Sequence, residues 1–175
     1  MNQRNEQWMD DALGKIPDRR QNPEVNAMDQ SIEFVPATAD LKATIQRDWA
    51  SNAGDHISLG DDCCSIVAVD DGRPIGLISA KKRPLAGPVA EMSEAWIAII
   101  EVHEDYRRQG IGEALVASVI DWARENGIEQ VGAWSESVRT EALLLWWKMG
   151  FTFARFEYTN GDRKCYGFTV ARRIR

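Results

Sequence analysis

The chain is poor in residues that build covalent or metal-based sites. Its 175 residues include three cysteines, two of them adjacent at Cys63-Cys64, and two histidines, His56 and His103. That supply excludes a disulfide framework, and no spacing among these residues suits a metal-ligand set, so the expectation is a metal-free domain of the cytoplasm. Long apolar runs are missing too. No stretch of about 18 apolar residues is present to cross a bilayer, and the first residues lack the apolar core of a secretory leader, so no membrane is expected as a partner. Positive charge is in deficit, with net charge -6 and a pI near 5.0. This argues against nucleic acid as the main partner and suits a cationic or amine-bearing substrate. The length suffices for one domain of ordinary size with a substantial core.

The most informative stretch runs from Ala95 to Leu115. Ile97, Ile99, Ile100 and Val102 read as a buried strand, His103–Tyr106 as a turn, and Arg107–Gly112 as the opening of an amphipathic helix. On that helix Ile111, Leu115, Val119 and Trp122 share a face. A strand that feeds a helix through a glycine-rich turn is suited to an anion. The first N–H groups of the helix lack intrahelical acceptors, the macrodipole is positive there, and glycines allow close approach. Arg107 and Arg108 add permanent charge. The turn is neither a dinucleotide fingerprint, since Leu115 stands where its third glycine belongs, nor a Walker loop, since Glu113 follows Gly112.

In chain order, residues 1–30 read either as a disordered tail or as a polar arm, with Trp8, Met9, Leu13 and Ile16 at helical spacing, that could pack on the domain or on a second subunit, giving a homodimer. Ser31–Pro36 is an edge strand, Thr38 caps a helix running to about Asn52, and Ala53–Asp62 is a loop. Cys63–Val69 and Pro74–Ala80 form a hairpin around Asp70-Asp-Gly-Arg73, and Lys81–Pro84 is a basic cluster read as a solvated strand end. The fourth strand ends at Val102, and its helix stops at Asn126-Gly127. Ile128–Ser135 is a fifth strand parallel to it, Ser137 or a neighbour caps a helix over Arg139–Met149, and Phe151–Tyr158 with Arg163–Ala171 close the chain as a hairpin. The order β-α-β-β-β-α-β-α-β-β predicts an α/β (α+β) domain with a mixed, mostly antiparallel sheet flanked by helices.

Three motifs in this order resemble the GNAT superfamily of acyl-CoA-dependent N-acetyltransferases over roughly residues 31–171. They are Arg107-Arg-Gln-Gly-Ile-Gly112 after Val102-His-Glu-Asp-Tyr106, Ala142-Leu-Leu-Leu-Trp146-Trp-Lys-Met-Gly150-Phe151, and Phe34-Val-Pro-Ala-Thr-Ala-Asp-Leu41. The resemblance implies a domain over residues 31–175 whose fourth and fifth strands splay apart, with acetyl-CoA as cosubstrate and no metal. It implies transfer of the acetyl group to a primary amine of a small molecule or a protein by direct attack in a ternary complex. The backbone of Arg108, Gln109, Gly110, Ile111, Gly112 and Glu113, with Arg107, would hold the pyrophosphate. Ile100, Glu101 and Val102 would pair with the pantetheine arm, and the Ile100 amide would polarise the thioester carbonyl.

The family's glutamate base falls on Trp96 here. Glu94, two residues earlier and on the same face by strand period, is the preferred base through water, whereas Glu101 follows the opposite parity. The family's tyrosine acid falls on Trp146, an indole that donates a hydrogen bond and releases no proton at neutral pH; Tyr106, Tyr158 or Tyr166 is left to substitute, and Tyr158 is taken as the candidate. Arg139 stands at a position from which it would meet a coenzyme phosphate or the substrate. Trp96, Trp134, Trp146 and Trp147 suggest an aromatic acceptor pocket able to grip a cation, with Trp147 read as core packing. The alternative is a catalytically weak acyl-CoA-binding sensor or interaction module, motivated by the missing signature tyrosine.

Overall fold

The computed structural model describes residues 32–174; the arm expected over residues 1–30 lies outside them. A seven-stranded sheet carries the domain in the order β1-β2-β3-β4-β5-β7-β6. Its strands are β1 (Glu33–Pro36), β2 (Cys63–Asp70), β3 (Arg73–Pro84), β4 (Ser93–Val102), β5 (Gln130–Glu136), β6 (Thr152–Asn160) and β7 (Arg163–Arg173). Every neighbouring pair is antiparallel except β4 and β5, which are parallel. The parallel step follows from the crossover helix between them. The expected mixed, mostly antiparallel fold is therefore present.

Helices α1 (Ala39–Asp48), α2 (Ile111–Glu125) and α3 (Thr140–Lys148) divide between the two faces of the sheet. On one face, Ile111, Leu115, Val116, Val119, Ile120 and Ala123 of α2 pack with Ile78, Ile97, Val131 and Val170 of the sheet and Trp146 of α3. Trp122, expected on the inner stripe, is only partly buried at its margin. On the other face, Ile45 of α1 packs on Val67 and Leu77, with Ala53 and Ile57 of the following turn. Each fully buried branched side chain contributes roughly 1.5–3 kcal/mol of transfer free energy. These two clusters therefore hold the sheet between them.

Several element ends differ from expectation for local reasons. Helix α1 stops at Asp48 because Trp49 is extended, and the Trp49 N–H caps Ile45. Strand β3 runs on past Ala80 to Pro84, so the basic run is its solvated end, with Lys81, Arg83 and Pro84 exposed and Arg83 opposite Glu94 in the β3–β4 ladder. Ser137 does not cap α3; Arg139 holds that position without a side-chain cap. Trp147 is 44% exposed whereas Trp146 is 2% exposed, the reverse of the core reading. Leu143 and Trp146, three apart, share the inward stripe, and the next residue turns about 100° away from it.

Candidate active site

The site begins where the sheet splits. The β4–β5 ladder runs from Glu94↔Gln130 to Ile97↔Ala133 and ends there. Beyond it, β4 continues to Val102 against β3 alone and β5 to Glu136 against β7 alone. At the fork β4 carries a bulge: Ile97 pairs with Ala80 and Ile99 with Ser79, leaving Ala98 without a partner. An extra residue bends its strand and reverses the alternation of side chains downstream. Trp96 and Ile99, opposite Lys81 and Ser79, consequently share a face.

That reversal overturns the parity argument between the two candidate carboxylates. Glu94 lies opposite Arg83 and Glu101 opposite Leu77, so both side chains belong to the α1 face of the sheet. Glu94 is 8% exposed and fully engaged: its Oε1 accepts from Arg83 Nε at 2.8 Å and its Oε2 from Gln130 Nε2 at 3.1 Å. The Arg83 guanidinium also lies 3.8 Å from the centroid of the Trp96 ring. Glu94 thus sits in the closed half of the ladder inside a cluster of polar side chains. Glu101 is half-buried beyond the bulge.

The open edge of β4 presents backbone groups toward the gap. The His103 N–H donates to the Ile75 carbonyl at 2.8 Å. By the two-residue alternation of an antiparallel ladder, Glu101 and Ile99 likewise turn their N–H groups to β3, and Ile100 and Val102 turn theirs away. The Val102 carbonyl confirms the phase, since it accepts from Arg107 Nε at 3.0 Å rather than from β3. Among the described residues the Ile100 and Val102 N–H groups therefore face the fork rather than β3, whereas the Glu101 N–H faces β3.

Just past this edge lies the glycine turn. Residues Glu104–Tyr106 form a 3₁₀ turn, Arg107–Gly110 a loop, and α2 starts at Ile111, later than expected. Arg108 has φ +63° and Gly110 φ +85°. A Cβ at Gly110 would meet nothing within 4 Å, so the requirement for glycine is conformational and the space above it is open. Among the described residues no acceptor takes the N–H groups of Arg108 through Glu113. The Ile111 side chain is in the core, Glu113 pairs with Lys148 of α3 at 2.5 Å, and Gln109 Nε2 donates to the Asp105 carbonyl at 3.2 Å. Glu141, in the first turn of α3, reaches Arg108 at 3.3 Å and Arg107 at 3.9 Å. It partly neutralises the two cations, and nothing in the sequence signalled that contact.

Trp146 lies deep in the α2–α3 side of the domain, its ring 5.0 Å from Phe151. Its Nε1 is a buried side-chain donor without an acceptor among the described residues. Such orphans are uncommon in folded proteins and call for an explanation. Of the tyrosines, Tyr106 donates to Asp70 at 2.8 Å, and Tyr166 lies under the Arg155 guanidinium at 4.4 Å. Tyr158 sits on the α1 face, its hydroxyl 3.4 Å from Glu136 Oε1. Partial burial and the Glu136 charge raise its pKa, so it remains a neutral phenol. Arg139 reaches Glu136 at 3.5 Å.

A parallel pair of splayed strands with amides of one of them facing the gap, ending in a turn whose N–H groups have no acceptor among the described residues, suits an extended, anionic ligand along β4. Comparison with known proteins places the chain more narrowly. Residues 27–151 match the model of the acetyltransferase (GNAT) family, and the chain belongs to that family. It is 30% identical over 88 residues to N-acetyltransferase family 8 member 3 of Mus musculus, a match that takes in 50% of this chain and 38% of that protein. The chain thus spans well under half the length of that curated relative. Among solved structures, Arabidopsis thaliana NAA60 in complex with a bisubstrate analogue superposes with a TM-score of 0.69 at 20% identity, covering 82% of this chain and 98% of that one. NAA60 in complex with acetyl-CoA gives 0.66 at 21% identity, covering 82% and 99%.

Proposed function

We propose that this chain is an acetyl-CoA-dependent N-acetyltransferase whose acceptor is a primary amine of a small molecule or a protein. The observation that carries the reading is the fork between β4 and β5, with the Ile100 amide facing it and the Arg108–Glu113 N–H groups beyond its mouth. The residues fit the coenzyme on three counts. The turn offers unpaired donors and two arginines to a pyrophosphate. The β4 edge offers the Ile100 and Val102 amides to an amide-bearing arm. The buried Trp146 N–H lacks an acceptor, which a thioester or thiol group would supply. When bound, acetyl-CoA supplies an activated acetyl group as its thioester.

The protein's own contribution is positioning, charge stabilisation and proton handling. Ile100 N–H donates to the thioester carbonyl and gains strength as negative charge develops on that oxygen, an effect worth several kcal/mol at such sites, about 2.7–4 for one donor. The amine must lose a proton to attack. Glu101, on the α1 face beyond the bulge, is better placed than Glu94 to take it, because both Glu94 oxygens already accept hydrogen bonds. Tyr158, held neutral, is the phenol on that same face that can return a proton to the departing sulfur. Trp146 contributes a hydrogen bond and no proton.

The test is isothermal titration with acetyl-CoA, followed by a thiol-release assay over a panel of amines. Binding together with amine-dependent thiol release is the expected result. Binding without turnover on any amine refutes the enzyme and favours a coenzyme-binding module; no binding refutes both.

A further inference from the structure

Among the described residues no helix covers β5, β6 and β7 on the α1 face of the sheet, because α1 and its turn pack on β1 to β3 and on Ile99 of β4. On this uncovered face three rings form a continuous shelf. Trp134 of β5 lies 5.4 Å from Tyr158 and 6.0 Å from Phe156, and the latter two lie 5.8 Å apart. A Cβ at Gly167 would come within 2.7 Å of Trp134 Nε1, so the indole lies down across β7. Trp134 is nonetheless 39% exposed, and Glu136 borders the shelf beside the Tyr158 hydroxyl at 3.4 Å.

Two observations say what such a shelf takes. Elsewhere on the sheet the chain seats its own guanidiniums on half-buried or exposed rings, Arg83 over Trp96 and Arg155 over Tyr166. Over Trp134, among the described residues, it seats none. Ring faces bordered by a carboxylate attract a cation. Arg139, 3.5 Å from Glu136, occupies Oε2 and leaves Oε1 toward the rings. The position is equally specific: Trp134 is the first residue of β5 after the last β4–β5 pair, at the lip of the fork.

We infer that the acceptor carries a second positive charge, held on the Trp134–Phe156–Tyr158 shelf beside Glu136, while a different nitrogen of the same molecule is acetylated at the fork. This deepens the proposed acetyltransferase reading and rests on it. The chemical reason is that a site stabilising the ammonium form keeps its proton, and a protonated amine has no lone pair with which to attack. A nitrogen held by the shelf is therefore not the nucleophile. The acceptor class is an alkyl diamine or longer polyamine, in which one cation anchors and the other end, deprotonated, forms the new amide bond as the thiolate leaves and is protonated.

The experiment measures kcat/KM for 1,4-diaminobutane and for n-butylamine with acetyl-CoA, in the wild type and in Trp134→Leu, Trp134→Phe and Glu136→Gln, with acetyl-CoA titrated into each. The wild type should prefer the diamine by about tenfold or more. Trp134→Leu and Glu136→Gln should bring that ratio toward one through KM for the diamine, and Trp134→Phe should retain most of the preference. A ratio near one in the wild type, a ratio unmoved by the substitutions, or turnover of neither probe by a protein that binds acetyl-CoA overturns the inference alone. Failure of the wild type to bind acetyl-CoA overturns the underlying reading as well.

Discussion

Replacing Gly132 with alanine tests the arrangement around Glu94 with a single methyl group. A Cβ there would stand 2.6 Å from Glu94 Oε2 and 3.2 Å from Trp96 Cε3. Neither neighbour yields easily. The Glu94 carboxylate is fixed by Arg83 at one oxygen and Gln130 at the other, and Trp96 is pinned beneath the Arg83 guanidinium. Overpacking a filled interior costs about 1–3 kcal/mol. Displacing a buried carboxylate from its donors adds a comparable amount, about 1–3 kcal/mol, reduced here because Arg83 is half exposed. The sum is about 2–4 kcal/mol, which for a domain of this size lowers Tm by roughly 5–15 °C. Differential scanning calorimetry reads it directly. In a Glu94→Ala background the same substitution should cost markedly less, since the nearest clashing atom is gone and only the ring contact remains. A Gly132→Ala protein that melts within about 2 °C of wild type, on the slope just used, refutes the described packing.

Three further outcomes follow from the site. Gly110→Glu forces a side chain into a backbone at φ +85° and puts a carboxylate where the pyrophosphate is proposed to sit; acetyl-CoA binding should vanish in titration while the circular dichroism spectrum is retained. Glu101→Gln should lower kcat with little change in Tm, whereas Glu94→Gln should lower Tm and change kcat much less; the opposite pattern returns the base to Glu94. Burial, reinforced by Cys63, pushes the Cys64 thiol up to about 11 from its ordinary 9.0. The folded chain therefore holds a proton that the unfolded chain releases above pH 9, so this group's stabilisation is present below that pH and is lost as pH rises toward 11. At pH 8 iodoacetamide should label Cys63 and Cys165, both partly exposed, well before Cys64, and equal rates by peptide mass spectrometry would contradict the burial.

Periodicity and turn chemistry made most of the fold legible. Ile111, Leu115 and Val119 mark the inner stripe of α2 at helical spacing, Asn126-Gly127 ends it, and Asp70–Arg73 and Asn160-Gly161 place the two hairpins. The crossover at the glycine turn makes β4 and β5 parallel by handedness and length alone. The glycine turn itself was readable as an anion site, because unpaired helix N–H groups are a property of any helix start and need no tertiary partner.

What the sequence by itself determined is thus the order of the elements, the inner face of α2 and the position of the anion-binding turn, since each depends on residues a few positions apart. What only the tertiary structure decided depends on residues far apart in the chain meeting across the sheet. A bulge at Ala98 leaves no mark in the residue pattern, yet it turned Glu101 onto the face of Glu94. Arg83 of β3 and Gln130 and Gly132 of β5 come from two strands to fix Glu94, and Glu141 comes from α3 to Arg107 and Arg108. Trp134, Phe156 and Tyr158 become one shelf because β7 lies between β5 and β6 and has no side chain at Gly167 to lift the indole away.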